Sequence, residues 1–291
     1  MRVVPRGRNG YVRAMDGTGQ PRRPLHFRKM HGLGNDFVII DQREAEAPLD
    51  AALVRAIGDR HRGVGFDQLV EVLPGTDADA ELIFWNADGS TAGACGNATR
   101  CLAHLMLAET GQQTVTFRTE RGLLPCCSLG DGVVEVDMGT PLLGWDEIPL
   151  ARDIDPLHLP LPGDPAACSM GNPHCTYFVD DIDQVDLNVA GPASENDPLF
   201  PERTNVQFVQ VMGRNEARVR VWERGVGVTL ASGSSSCAIV VNAHRRGLMD
   251  RQALLHLDGG DIQITWREDD HVLMAGPVSY VFEGVFDPRF P

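Results

Sequence analysis

The sequence overlays on itself at an offset of 137 residues without a gap, and this internal repeat constrains the fold more than any other feature. Trp85-Asn86-Ala87-Asp88-Gly89, leading to Ala94-Cys95-Gly96, lies over Trp222-Glu223-Arg224-Gly225-Val226, leading to Ala231-Ser232-Gly233. The same offset carries Gly34-Asn35 onto Gly171-Asn172 and Gln68 onto Asn205. In a chain of 291 residues, such a period implies two similar units, each long enough to bury its own core. Cys95 and Ser232 stand at matched places, each followed by glycine. Two such half-sites facing one ligand suit a reaction that touches both faces of one carbon.

Composition narrows the function classes. A net charge of −14 argues against bulk attraction to nucleic acid or anionic membrane, so neither is expected as a partner. No apolar run approaches a membrane span. Residues 1–24 hold six arginines against the single acid Asp16 and contain no apolar block. They read as an N-terminal extension without regular structure, not as a secretory signal. Seven cysteines, an odd number without that signal, read as reduced thiols in a cytoplasm. No CxxC spacing supports zinc, and no metal is expected. Lys29 is the only lysine, so a pyridoxal phosphate enzyme, which needs a lysine for its Schiff base, is disfavoured.

Periodicity and punctuation give the elements. Strands are expected at 25–29, 37–41, 68–73 and 80–85, with short amphipathic helix 51–60 between the second and third. A clear helix at 99–107 opens just after Cys95-Gly96-Asn97 and is followed by a meander over 114–119, 123–129 and 133–138. The Pro- and acid-rich stretch 144–165 reads as a connector. The pattern then restarts: strands at 175–180, 205–212 and 217–222, a helix at 234–246, and a second meander over 254–257, 261–267 and 271–275. A last strand at 278–285 follows a finished second half and is placed back in the first sheet. The fold class is α+β, a mixed or antiparallel sheet wrapped around a central helix, made twice. The expected division is 25–141 plus 278–291 for the first lobe and 142–277 for the second.

Each repeated element ends a strand and opens a helix, where free N–H groups and the helix dipole attract an anion such as an amino-acid carboxylate. The same field is expected to lower the Cys95 thiol toward neutrality, and Gly96 lets backbone approach a ligand. His174, in Gly171-Asn172-Pro173-His174, has the side chain suited to serve as a base near neutral pH, or it is a turn residue. Glu223 and Arg224 read as site residues or as a solvated ion pair. Asn35, Asn86, Asn172 and Asn205 either bind ligand or cap turns, and membership of the repeat tilts them toward ligand.

The sequence from about residue 25 to its end closely resembles the diaminopimelate epimerase family. The motifs are Phe27-Arg28-Lys29-Met30-His31-Gly32-Leu33-Gly34-Asn35-Asp36-Phe37, Gly63-Val64-Gly65-Phe66-Asp67-Gln68, Asn86-Ala87-Asp88-Gly89-Ser90, Cys95-Gly96-Asn97-Ala98-Thr99-Arg100-Cys101, Gly171-Asn172-Pro173-His174 and Glu223-Arg224-Gly225-Val226-Gly227. The resemblance implies two pseudo-symmetric lobes with the site in the cleft, no cofactor, no metal, a homodimer, and a cytoplasmic place in lysine and peptidoglycan synthesis. It implies a pair of catalytic residues, one per lobe, at Cys95 and Ser232, assisted by His174 and Glu223. Gly96, Asn97, Gly233 and Ser234 would hold the reacting carboxylate. Asn35, Asn86, Asn172, Asn205, Glu223 and Arg224 would read the distal end, and Gln68 would line the pocket.

The departures are concentrated in the second loop. Where the family has Cys-Gly-Thr-Gly, this chain has Ser232-Gly233-Ser234-Ser235, and Val228 stands where a glutamate is usual. Ala98 replaces the commoner glycine in the first loop. A serine hydroxyl is far less acidic than a thiol. The leading expectation is epimerisation of LL- to meso-diaminopimelate. The alternatives are a racemase or dehydratase acting on another α-amino acid, or a binding protein that has lost catalysis.

Overall fold

The computed structural model describes residues 24–44, 49–287 and 290. The extension expected over 1–24 lies outside them except for Pro24. Four α-helices are described: α1 (Ala51–Gly58), α2 (Gly96–Thr110), α3 (Leu187–Glu195) and α4 (Gly233–Arg245). The remaining framework is strand. Two helices, α2 and α4, are buried on nearly every side over most of their length, as helices surrounded by sheet. Ala98, Cys101, Leu102, Ala103, Met106 and Leu107 of α2 pack against Phe37, Phe84 and Phe117. Cys237 through Val241 and Ala243 of α4 pack against Val219, Leu255 and Ile264.

The repeat is visible in the strand ladder. Asn35–Asp41 runs parallel to Gln68–Pro74 with Phe37 opposite Gln68, and Pro173–Phe178 runs parallel to Asn205–Gly213 with His174 opposite Asn205. Adding the 137-residue offset to the first pair gives the second. The antiparallel pairs Leu69–Trp85 and Val206–Trp222 match in the same way. Val133–Asp137 pairs with Val272–Pro277, so the ladder continues from one half into the other. Ser279–Val285 returns to lie antiparallel beside His26–Gly32. The α+β class, with each sheet wrapped on a helix, is therefore as the sequence implied.

Helix α1 ends at Gly58, two residues before its expected end, α4 is displaced by one residue, and α2 extends beyond its expected bounds at both ends. Helix α2 starts at Gly96, three residues before its expected start, because Cys95 itself is the N-cap. It stops at Gly111, whose φ of 70° is left-handed. The stretch 144–165 is not a solvated linker, since Ile148, Leu150 and Leu159 are buried in a third core with Tyr177 and Phe208. Helix α3 was not expected, because Gly191 and Pro192 both oppose a helix interior. Asp186 caps it by accepting from the Asn188 N–H, and packing supplies the rest.

Trp222 explains Gly191. A Cβ on Gly191 would sit 2.4 Å from Trp222 Cδ2. The indole lies over the helix and its Nε1 donates to Glu195 Oε2 at 2.7 Å. The partner oxygen Oε1 accepts from the Gly225 N–H at 2.8 Å, which ties α3 to the loop carrying Glu223 and Arg224. Gly191→Ala should therefore destabilise the fold by about 1–3 kcal/mol through overpacking, measured by urea unfolding. An unchanged midpoint would show that Trp222 can move aside.

Candidate active site

Cys95 and Ser232 are the N-cap residues of α2 and α4, both in extended conformation, and neither side chain caps its own helix. The two helix starts face each other. A Cβ on Gly96 would lie 2.5 Å from Met274 Cε and 2.8 Å from Met138 Sδ, and one on Gly233 would lie 2.8 Å from Met274 Sδ. The same imaginary atom on Gly233 is 3.3 Å from Asn97 Oδ1. Glycine at both places is what allows two helix N-termini to close on one small volume, with first-turn N–H groups presented from both sides.

The sheet register supplies the next ring of residues. Gln68 and Asn86 are directly opposed, and Gln68 Nε2 donates to Asn86 Oδ1 at 3.2 Å. Asn35 Oδ1 accepts from Asn97 Nδ2 at 3.1 Å, joining the first loop to α2. In the second half, Asn172 Nδ2 donates to Ser234 Oγ at 3.4 Å, joining the matching loop to α4. Asn205 Oδ1 accepts from the Arg224 N–H at 3.0 Å, and its Nδ2 donates to the Pro173 carbonyl at 3.1 Å. Arg224 Nη1 donates to the Glu202 carbonyl at 3.1 Å.

Two expectations about protonation change. Cys95 is not poised near neutrality: burial pushes its thiol up to about 12. The N–H groups of Ala98 and Asn97 and the Arg100 guanidinium favour the thiolate, while the Glu223 carboxylate opposes it, and desolvation outweighs the helix field. His174 is not a pH-poised base. Burial holds it down to about 3, with the positive charges of Arg121 and Arg224 adding to the effect. Its ring is 0% exposed and engages Asn172 and Gln207, with neither Cys95 nor Ser232 among its partners. Glu223 is raised by burial, against the hydroxyls of Thr229 and Ser232 that favour its charged form. The carboxyl thus stands beside Ser232 and within electrostatic reach of Cys95.

Three residues near this volume escaped the sequence reading. Arg100, on the second turn of α2, is 0% exposed, and its Nε, Nη1 and Nη2 find no protein acceptor among the described residues. Burial lowers it, and the ionisable groups that oppose that shift are Cys101, Cys95 and Cys237. The one available signal was the repeat, since the offset sets Arg100 on Cys237, a charge with no counterpart. Arg121 reaches from the first half to donate to the Met170 carbonyl at 3.1 Å, against the Gly171 loop. Gln207 binds His174 from the neighbouring strand.

Lys29 is tied to Asp36 and donates to the Gly65 carbonyl at 2.5 Å, so its ammonium is engaged within the first sheet. Among the described residues, no group of His, Cys, Asp and Glu could hold a metal, and no helix is long and apolar enough to cross a membrane.

The sequence profile of diaminopimelate epimerase matches residues 27–143 and 166–281. A diaminopimelate epimerase of Acidiphilium cryptum is 53% identical over 265 residues, 90% of this chain and 96% of that one. One of Gluconobacter oxydans is 53% identical over 262 residues, 89% of this chain and 98% of that one.

This chain belongs to the diaminopimelate epimerase family.

Solved structures share the fold at low identity. A protein described as a predicted epimerase from Pseudomonas aeruginosa superposes with a TM-score of 0.67 at 18% identity, covering 90% of this chain and 99% of that one. A hydroxyproline epimerase from Agrobacterium vitis gives 0.66 at 14% identity, covering 91% of each. Membership of the diaminopimelate epimerase family fits the two-lobed arrangement.

The protonation balance gives a measurable expectation. With the Cys95 thiol near 12, alkylation at that site in the ligand-free enzyme should be slow at pH 7 and rise about tenfold per pH unit up to pH 9 or beyond, because only thiolate reacts. Arg100→Met removes a charge that favours the thiolate and should slow alkylation further. Peptide mapping of labelled Cys95 reads both, and a midpoint near pH 7 in the wild type would refute the assignment.

Proposed function

We propose that this chain is a cofactor-independent isomerase that interconverts LL- and meso-diaminopimelate, with Cys95 serving one face of the α-carbon and Ser232 the other. The observation that carries this reading is the meeting of two helix N-termini headed by those two residues, in a chain whose relatives at about half identity bear that name. Pyridoxal phosphate has no place in the reading. The α-carboxylate would sit on the N–H groups at Gly96-Asn97 and Gly233-Ser234. Asn35, Asn86, Asn172, Asn205, Glu223 and Arg224 would read the distal amino-acid end, with Gln68 lining the pocket.

Charge bookkeeping makes serine workable. Cys95 and Glu223 together hold one proton in two arrangements, thiol with carboxylate or thiolate with carboxylic acid. Both carry one negative charge, so burial penalises them alike, whereas it penalises either group's ionisation alone. In the second arrangement the Cys95 thiolate takes the α-proton. Ser232 gives its hydroxyl proton to the opposite face and takes one from the Glu223 carboxyl. The enzyme is left in the first arrangement, which runs the reverse direction. Ser232 never has to persist as an alkoxide, and His174 acts by position instead of by proton transfer.

The lobes in this reading are 25–141 plus 278–291 and 142–277. The return of Ser279–Val285 to the first sheet supports that division. The enzyme would work in the cytoplasm, where its seven free cysteines stay reduced, and as a homodimer, inferred from the family. Sedimentation of the purified protein tests the last point, and a monomer at working concentration would remove it.

Incubation with LL-diaminopimelate in deuterated water should yield meso product with α-deuterium, and neither should form with Cys95→Ala. Active-fold protein that gives no exchange would sink the reading. Ser232→Cys should raise turnover by about 10²–10⁴-fold if the hydroxyl is the weaker acid–base group. Turnover that falls instead would mean the second loop is tuned to serine.

A further inference from the structure

Behind the N-terminus of α4 runs a chain of buried polar side chains that no step above uses. Asn242 Nδ2 donates to Thr176 Oγ1 at 3.1 Å, and Thr176 Oγ1 donates to Gln207 Oε1 at 3.0 Å. Gln207 Nε2 donates to His174 Nδ1 at 3.0 Å and to Ser235 Oγ at 3.1 Å. His174 Nε2 meets Asn172 Oδ1 at 3.1 Å, and Asn172 Nδ2 donates to Ser234 Oγ at 3.4 Å. Asn242, Thr176, Gln207, His174 and Ser235 are all 0% exposed. The seven side chains come from four elements: helix α4, the two neighbouring strands Pro173–Phe178 and Asn205–Gly213, and the loop after Met170. Of these side chains only Asn242, at the head, leaves a buried polar atom, its Oδ1, without a partner among the described residues, and a buried network that is otherwise satisfied fixes one arrangement.

The donors all point the same way, from Asn242 toward Ser234. An amide presents oxygen on one side and nitrogen on the other, so each Asn or Gln passes direction to the next. Thr176 engages Gln207 through its oxygen, which turns the amide nitrogen toward the imidazole. A nitrogen that accepts cannot carry the ring proton, so the proton sits on Nε2 and is given to Asn172 Oδ1. That leaves Asn172 Nδ2 for Ser234. Because Ser234 Oγ accepts from Asn172, its hydroxyl proton is free to donate outward, at the place where α4 presents its own N–H groups.

We infer that Gln207 is a positioning residue: it sets the direction of this relay, keeps the His174 proton on Nε2, and so turns the Asn172 amide onto Ser234 and leaves the Ser234 hydroxyl as a donor toward the ligand's carboxylate. This rests on the reading that the α4 N-terminus binds a carboxylate. Its symmetry mate lacks the device, since the offset places Phe37 where the second half has His174. The two half-sites are thus unequal in how they hold one end of the ligand.

The test is nitrogen-resolved NMR of the full-length enzyme with labelled histidine, the His174 signal being assigned by its loss in His174→Gln. The wild type should show a proton-bearing Nε2 and a bare Nδ1, unchanged between about pH 5 and 8, where an ordinary histidine titrates. A proton on Nδ1, or titration in that window, overturns the proposal. Gln207→Met and the near-isosteric Thr176→Val should each give mixed tautomers. Each should also raise the diaminopimelate KM, and the Kd by calorimetry, about tenfold, with kcat changed less, since a donor to a charged carboxylate is misaimed. Variants that fold, as judged by circular dichroism, yet leave tautomer and KM as in the wild type overturn it equally. A wild type that neither binds nor turns over diaminopimelate would defeat the substrate reading and the ligand half of the proposal. The tautomer result would still stand by itself.

Discussion

Two buried helix ends, those of α2 and α4, converge on Met138 and Met274, and the rest of the structure serves that approach. Glycine at positions 96 and 233 removes the side chains that would hold the helices apart. The sheets wrap each helix along most of its length, and the N-terminal turn is the end that lies buried, while the C-terminal turn reaches the surface. A carboxylate is the natural occupant of such a volume, because unpaired N–H groups at a buried helix end need an acceptor. The same burial makes ionisation of Cys95 or Glu223 expensive when either changes alone. A single proton shared between them is a physical way to keep both groups usable.

The pseudo-symmetry is strict in the backbone and loose in the chemistry. Ladder pairs repeat at the offset across the strands that carry Gln68, Asn86, His174 and Asn205. At the site the mates have diverged: Cys95 with Ser232, Arg100 with Cys237, Phe37 with His174. Arg100 places a charge, and His174 a polar network, on one side only, while Cys95 and Ser232 set groups of unlike acidity on the two sides. A duplicated scaffold has thus become an asymmetric site while its hydrogen-bonded frame stayed fixed.

Most of the frame was legible because its signals are local. The alternating strands and the glycines after Cys95 and Ser232 act over a few residues, the repeat needs only the sequence laid over itself, and each is read without knowing the fold. Helix α3 was hidden because its Gly191 answers to Trp222, which is distant in sequence and in contact in space, and propensity alone votes against it. The buried segment around Ile148 and Leu159 was hidden for a similar reason, since its prolines and acids look solvated until the third core is seen. At the site, residue types could be named but not their protonation. The sequence shows Cys95 at a helix start and His174 beside a proline. It does not show that burial outweighs the dipole at the first and silences the second. Arg100 and Gln207 were missed because their importance lies in what surrounds them.

The strand Ser279–Val285 pairs with His26–Gly32, so the first sheet is edged by the last strand among the described residues. During synthesis the first half therefore emerges with its outer edge unpaired and must wait for nearly the whole protein before that edge closes. An open strand edge is a template for wrong partners, and pairing across such a long separation is slow to form. The order in which this chain leaves the ribosome thus exposes one sheet edge for the entire time the second lobe is being made. Loss of only the final dozen residues would leave that edge open permanently.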